Sequence, residues 1–254
     1  MQIAITREVS PSIARCELTY QERVVIDYEL ACRQHAAYCQ ALASLGCRVE
    51  RLPAETDLPD SVFVEDVALV LNELAILTHP GAASRRPEVA KIQPALAKYR
   101  PLASITPPAT LDGGDILRID RTIYVGQSTR SSQAALAQLA ELVAPVGYRV
   151  QGVALTGCLH LKSAVTQAAP GQLLINPAWV DPEVFAGFRC LEVDPAEPHA
   201  ANILLLEQGL IYPTSFPRTL ERLENAGLPI TPVDVSEMQK AEGAVTCCSI
   251  LLSA

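Results

Sequence analysis

Residues 63–78 read FVEDVALVLNELAILT. Two β-rich apolar runs flank the polar pair Asn72-Glu73, and that pattern predicts a hairpin. The segment Arg86–Tyr99 follows with Val89, Ile92, Leu96 and Tyr99 at helical spacing. A short strand over Leu102–Thr106 completes a unit of hairpin, helix and strand.

The same order recurs outward from this stretch. Gly113–Gln127 (GGDILRIDRTIYVGQ) reads as a hairpin turning at Asp120-Arg121, followed by a helix over Ser131–Ala144 and a strand over Tyr148–Leu155. His160–Asn176 turns at Pro170-Gly171, and a short helix near Asp181–Ala186 and a strand over Arg189–Val193 follow. Asn202–Pro213 turns near Gln208-Gly209; its helix is Pro217–Asn225, stopped by Gly227, and its strand is Ile230–Val235. The fifth unit is split between the chain ends. Ala244–Leu252 pairs with Gln2–Thr6, Glu22–Leu45 is a long helix stopped by Gly46, and Cys47–Leu52 closes the unit. Five related units point to radial repetition in one α/β domain over residues 1–254, with the terminal strands closing the ring. An ordinary open α/β sheet is the alternative that periodicity leaves standing.

Composition fits a packed domain. Of the 254 residues 49% are hydrophobic and 19% charged, too apolar for a disordered chain. The net charge of −8 argues against a nucleic-acid partner, which needs a basic face. It suits a cationic small molecule. No apolar run approaches the ~20 residues of a membrane-spanning helix, and MQIAITRE lacks the pattern of a secretory signal. The eight cysteines are scattered, with no CxxC pair or Cys/His ligand spacing, so reduced thiols, no metal and a cytoplasmic setting are expected.

Polar residues gather where the units begin: Glu65 and Asp66, then Asp112 and Asp115 around Gly113-Gly114, then His160, then Cys247. Rotation-related units would bring these positions to one mouth of a central channel. Each has a plain structural reading: Cys247-Cys248 as small core residues, His160 as a satisfied core histidine, Asp112–Asp115 as a turn. Adjacent carboxylates on a strand face opposite ways, so one of Glu65 and Asp66 should point inward and need a partner. Together the set suits a thiolate attacking an electrophilic carbon, a histidine moving the proton and a carboxylate orienting it. A further carboxylate suits the planar donor fork of a guanidinium.

At these residues the sequence resembles the dimethylarginine dimethylaminohydrolases of the guanidino-group-modifying superfamily. The matching pieces are DSVFVEDVAL at 60–69, THPGAASRR at 78–86, LDGGDIL at 111–117, YVGQSTR at 124–130, LHLKS at 159–163 and GAVTCCS at 243–249. They stand in family order and cover essentially the whole chain. The resemblance implies a five-bladed α/β propeller of β-β-α-β modules and hydrolysis of methylated arginine to citrulline and an alkylamine, without cofactor. It implies Cys247 as nucleophile, His160 as proton carrier and Asp112 as its holder. Asp66, with Glu65 close by, would grip the guanidinium, and Arg85 and Arg130 would take the α-carboxylate. Leu18, on a mobile lid, Asp60, Ala241 and Thr246 would complete the amino-acid pocket. Two departures flank that pocket: QSTRSS follows Gly126 where relatives more often have S-x-R-T-N, and Ala241 stands where relatives carry a larger aliphatic residue. Another guanidine hydrolase or deiminase, and a non-catalytic five-fold binding protein, are the rival readings. The partner expected is a small guanidino amino acid, with a homodimer left open.

Overall fold

The computed structural model describes residues 1–253 and contains five three-stranded sheets of one pattern. In each, an antiparallel pair (a hairpin in four of the five, the two chain ends in the other) is joined by a third strand that runs parallel to the pair's central strand. Strand β1 (Gln2–Arg7) leads through helix α1 (Tyr28–Ser44) to β2 (Arg48–Leu52). The second module runs β3 (Ala68–Val70), β4 (Ala75–Leu77), α2 (Arg86–Leu96) and β5 (Leu102–Ser104). The third runs β6 (Ile116–Ile119), β7 (Thr122–Gln127), α3 (Gln133–Val143) and β8 (Arg149–Ala154). A one-turn helix, α4 (Leu161–Ala164), leads into β9 (Val165–Ala169), β10 (Gln172–Ile175), a 3-10 turn and β11 (Arg189–Glu192). The last complete module is β12 (Leu204–Leu206), β13 (Gly209–Pro213), α5 (Pro217–Asn225) and β14 (Ile230–Val233). After α6 (Ser236–Gln239) the chain ends in β15 (Ile250–Ser253), which pairs antiparallel with β1 from Gln2↔Ser253 to Ile5↔Ile250. The terminal pairing read from the sequence is therefore present.

The hairpins form where turn chemistry allows. Asp120 (φ 51) closes β6–β7 and Gly171 (φ 72) closes β9–β10, both in the left-handed region that Gly tolerates and Asp visits. Pro217 opens α5 at a position where its missing N–H costs nothing.

The differences from the sequence reading lie at the lead-in turns and at the start of the long helix. The segments just before the first strands were expected to be strand, yet Val64–Val67 and Gly113–Asp115 are 3-10 turns and residues 245–248 form a turn. Side chains distant in sequence satisfy much of their backbone. Thr246 N donates to Asn202 Oδ1 at 3.1 Å, and the Tyr38 hydroxyl donates to Val245 O at 2.8 Å. The long helix begins at residue 28 and not at Glu22, because Asp27 caps it by accepting from Leu30 N at 2.9 Å. Residues 17–27 cross the surface without helix or strand. Tyr38, fully buried on α1, ties that helix to the segment carrying Cys247. Among the described residues no helix is long and apolar enough to cross a membrane. All eight cysteines are free thiols.

Candidate active site

The lead-in turns converge. A closed cavity of about 20 Å³ is lined by Asp60, Asp66, Arg85, Arg130, His160, Ala241 and Cys247, together with Glu17, Phe63, Leu159, Glu242 and Gly243. Seven of the eleven site residues expected from the sequence therefore share one cavity. Asp112 stands just behind it, bonded to His160. Glu65 and Thr246 face a second, larger cavity, and Leu18 sits half-buried on the segment before α1.

His160 is held from several sides. Its Nε2 lies 3.2 Å from Asp112 Oδ2, while Asp112 Oδ1 accepts the Gly81 N–H at 2.8 Å. A β-carbon on Gly114 would lie 2.5 Å from His160 Nδ1 and 2.9 Å from Asp66 Oδ1, so only glycine lets the turn approach the ring this closely. The Gly114 N–H donates to Asp66 Oδ1 at 2.9 Å. Asp115 braces the assembly: it accepts from Leu161 N at 3.0 Å, Ser128 Oγ at 2.5 Å and Ser131 Oγ at 2.6 Å. Burial works against a charged imidazole, but Asp66, the Asp112 hydrogen bond and Asp115 outweigh it and push the His160 pKa up to about 9. His160 is thus an imidazolium at neutral pH.

Asp66 and Arg85 form a buried pair, Oδ2 to Nη1 at 2.5 Å. Burial opposes ionisation of Asp66, but Arg85 and His160 overcome it and lower its pKa to about 2. The other Arg85 donors are also engaged. Nε and Nη2 meet the Glu88 carboxylate at 3.2 and 2.8 Å, and Nη2 also donates to the carbonyls of Asp60 and Phe63. Arg85 is therefore an internal counter-ion that also borders the cavity. Glu88, missed by the sequence reading, is its principal partner. The i,i+3 spacing of Arg85 and Glu88 was visible, but R-R-P-E reads equally as the solvated start of a helix. Arg130 is freer: its Nη2 donates to Thr19 Oγ1 at 2.8 Å.

Cys247 and Cys248 differ in setting. Cys248 is buried in the core, its thiol directed to Ala244 O at 3.5 Å. Cys247 is partly accessible and faces the cavity. Burial, then Glu65 and Asp66, push the Cys247 thiol up to about 12. The unliganded site therefore holds a neutral thiol beside an imidazolium.

Glu65 turns away from its neighbour. Its carboxylate accepts from Lys162 Nζ and from Thr246 Oγ1, the latter at 2.8 Å. A cation could in principle be held by Asp66, Asp112 and His160, whose ligand atoms all lie within 4.8 Å of one another. Their charges are already matched within the protein, Asp66 to Arg85 and Asp112 to His160.

Modular α/β architecture with cysteine, histidine and carboxylates on converging turns defines the class: an arrangement suited to nucleophilic attack by a thiol on a cationic carbon. The family follows from comparison with known proteins. Residues 13–165 match the model of the eukaryotic N,N dimethylarginine dimethylhydrolase family. The chain is 40% identical over 98% of its length to the N(G),N(G)-dimethylarginine dimethylaminohydrolase of Streptomyces coelicolor, covering 96% of that protein. Among solved structures, it matches the Pseudomonas aeruginosa enzyme, a cysteine-to-serine mutant complexed with citrulline, at TM-score 0.94, 32% identity and 98% coverage of both chains. It likewise matches a histidine-to-glycine variant of a dimethylarginine dimethylaminohydrolase, as its adduct with S-methyl-L-thiocitrulline, at TM-score 0.95 and 32% identity, covering 99% of this chain and all of that one. The chain belongs to the dimethylarginine dimethylaminohydrolase family, whose members are hydrolases acting on guanidino C–N bonds.

Proposed function

We propose that this protein hydrolyses N-methylated arginine to citrulline and an alkylamine through a covalent Cys247 intermediate. The observation that carries the reading is the shared cavity of Cys247, His160 and Asp66, in a chain so similar to the Streptomyces coelicolor dimethylarginine dimethylaminohydrolase over its whole length.

The charges suggest the sequence of steps. Asp66, with Asp60, attracts the substrate cation. A guanidinium placed beside Cys247 offsets the acidic neighbours that keep its thiol protonated, and the thiol proton leaves to solvent. The thiolate attacks the guanidinium carbon. His160 gives its proton to the departing amine nitrogen, the C–N bond breaks and an S-alkylthiouronium remains. His160, now neutral, takes a proton from water as that water attacks the same carbon. The C–S bond then breaks, releasing citrulline and regenerating the thiolate, and the second proton passes to solvent. Asp112 holds His160 throughout, and no metal or organic cofactor enters any step.

Arg130 is the readier partner for an α-carboxylate, since Arg85 already answers Asp66 and Glu88. Leu18, Ala241 and Thr246 complete the surroundings, Thr246 through Glu65. The engagement of Arg85 also favours a second reading, an enzyme for a guanidine lacking the carboxylate, such as agmatine. We read the five sheets as blades of one five-bladed propeller domain over residues 1–254. In support, a cavity of about 300 Å³ is bordered by residues of β3, β6, β9, β12 and β15, the first strand of every module. The expected partner is a small guanidino amino acid, without nucleic acid or membrane.

A citrulline assay across mono- and dimethylarginines, arginine and agmatine tests the reading. Methylated arginines should be turned over fastest, and Cys247→Ser should abolish the reaction. Preference for agmatine would establish the second reading instead.

A further inference from the structure

Residues 17–27 begin at Glu17 on the cavity wall, and much of their backbone is held by one short stretch of chain, residues 237–242. The Asp27 N–H donates to Glu237 Oε2 at 2.9 Å and Lys240 Nζ donates to Val25 O at 3.1 Å. The Glu242 carboxylate accepts three consecutive backbone N–H groups, those of Thr19 at 2.9 Å, Tyr20 at 2.6 Å and Gln21 at 2.7 Å. Such charge-assisted bonds into a backbone nest are among the stronger hydrogen bonds a surface segment can make. Glu242 holds this pose from φ 57, a region few non-glycine residues occupy. On the other side of Leu18, the Asp60 carboxylate accepts the Glu17 N–H at 3.1 Å. Leu18 is thus clamped between two carboxylates that both border the cavity.

The cavity volume of about 20 Å³ is far below the ~300–1,000 Å³ of ordinary ligand pockets, so a bound amino acid needs more room than this arrangement gives. We propose that Glu242 is a positioning residue for the hydrolysis: its carboxylate latches residues 19–21 and thereby sets Leu18 over the bound amino acid. The proposal rests on the reading of this cavity as the substrate site. Glu242 also lies five residues before Cys247 on the same stretch, so the latch and the attacking thiol move on one piece of backbone.

The test uses two variants. Glu242→Asn tolerates a positive φ but falls a methylene short of the nest. Glu242→Gln keeps the length and one acceptor and loses the charge. Trypsin cleavage after Arg23, which is exposed on the segment, reports opening without any substrate. Glu242→Asn should be cut about tenfold faster and show a KM for dimethylarginine raised about tenfold, with kcat within about threefold. Glu242→Gln should fall between it and the parent protein. Parental cleavage and KM in Glu242→Asn, or a lost kcat with both unchanged, overturns the latch. If Glu242→Asn does not fold, parental cleavage of Glu242→Gln overturns it. A parent protein inactive on methylated arginine defeats the functional reading, and the cleavage ratio still decides the latch.

Discussion

Glu65 and Asp66 are neighbours in sequence and belong to different regions of the molecule. Asp66 borders the 20 Å³ cavity with Arg85, His160 and Cys247, and its pKa is lowered to about 2. Glu65 borders the 300 Å³ cavity with Lys162 and Thr246, and burial raises its pKa. The larger cavity is walled by strand residues and offers one ion pair. The smaller gathers a thiol, an imidazolium, carboxylates and two guanidinium groups. Chemistry follows the convergence of groups of opposed charge, and cavity size is no guide to it. A single peptide bond separates a carboxylate on the candidate active-site cavity from one paired with Lys162 and Thr246 on the other cavity.

After loss of the proposed nucleophile itself, the largest effect should come from removing the proposed proton carrier. His160→Ala should lower kcat by about 10³-fold, in the middle of the ~10²–10⁴-fold range for acid–base groups, measured as citrulline released under saturating substrate.

The two carboxylates should then separate in stability. Asp66→Asn leaves the Arg85 side of the pair undercompensated in a buried site and should cost about 3–5 kcal/mol in urea unfolding. Glu65→Gln keeps Thr246 as a hydrogen-bond partner and should cost about 1–3 kcal/mol. Equal losses would dissolve the contrast between the regions.

Acidity sharpens the same contrast with opposite signs. The Asp66 carboxyl is depressed, so its contribution to stability is present above its unfolded value of about 3.9 and fades as pH falls towards about 2. The His160 pKa is raised, so its contribution is present below about 6.5 and is lost as pH rises through about 9. Amine release should lose its acid over the same alkaline interval, and Asp112→Asn should move that limb of the kcat profile to lower pH. Unfolding and kinetic titrations check both.

The smallest effect is expected next door to the proposed nucleophile. Cys248→Ser should leave kcat within about threefold of the parent, since its thiol points into the core and away from the cavity.

The module order was legible because alternating apolar strands, turn residues and Gly stops are local signals. Pro217–Asn225 is the helix its pattern announces. The lead-in turns were not legible, because what bends them lies far away in sequence. GAVTCC has the β-branched character of a strand, yet Asn202 and Tyr38 capture its backbone. Glu22–Ile26 carries no helix breaker, yet it belongs to the surface segment that Lys240 and Glu242 hold down. The site was readable as a set of residue types in register with a family. Its internal pairing was not, because nothing in a lone Arg85 announces that Asp66 and Glu88 both claim it.

The central claim is a covalent bond between Cys247 and the guanidino carbon. Protein mixed with dimethylarginine, quenched in acid during turnover and fragmented for mass spectrometry tests it directly. The account predicts an S-alkylthiouronium adduct on Cys247, absent from Cys248 and lost in Cys247→Ser. Citrulline formed at the parental rate by Cys247→Ser, with no adduct on any cysteine, would contradict it.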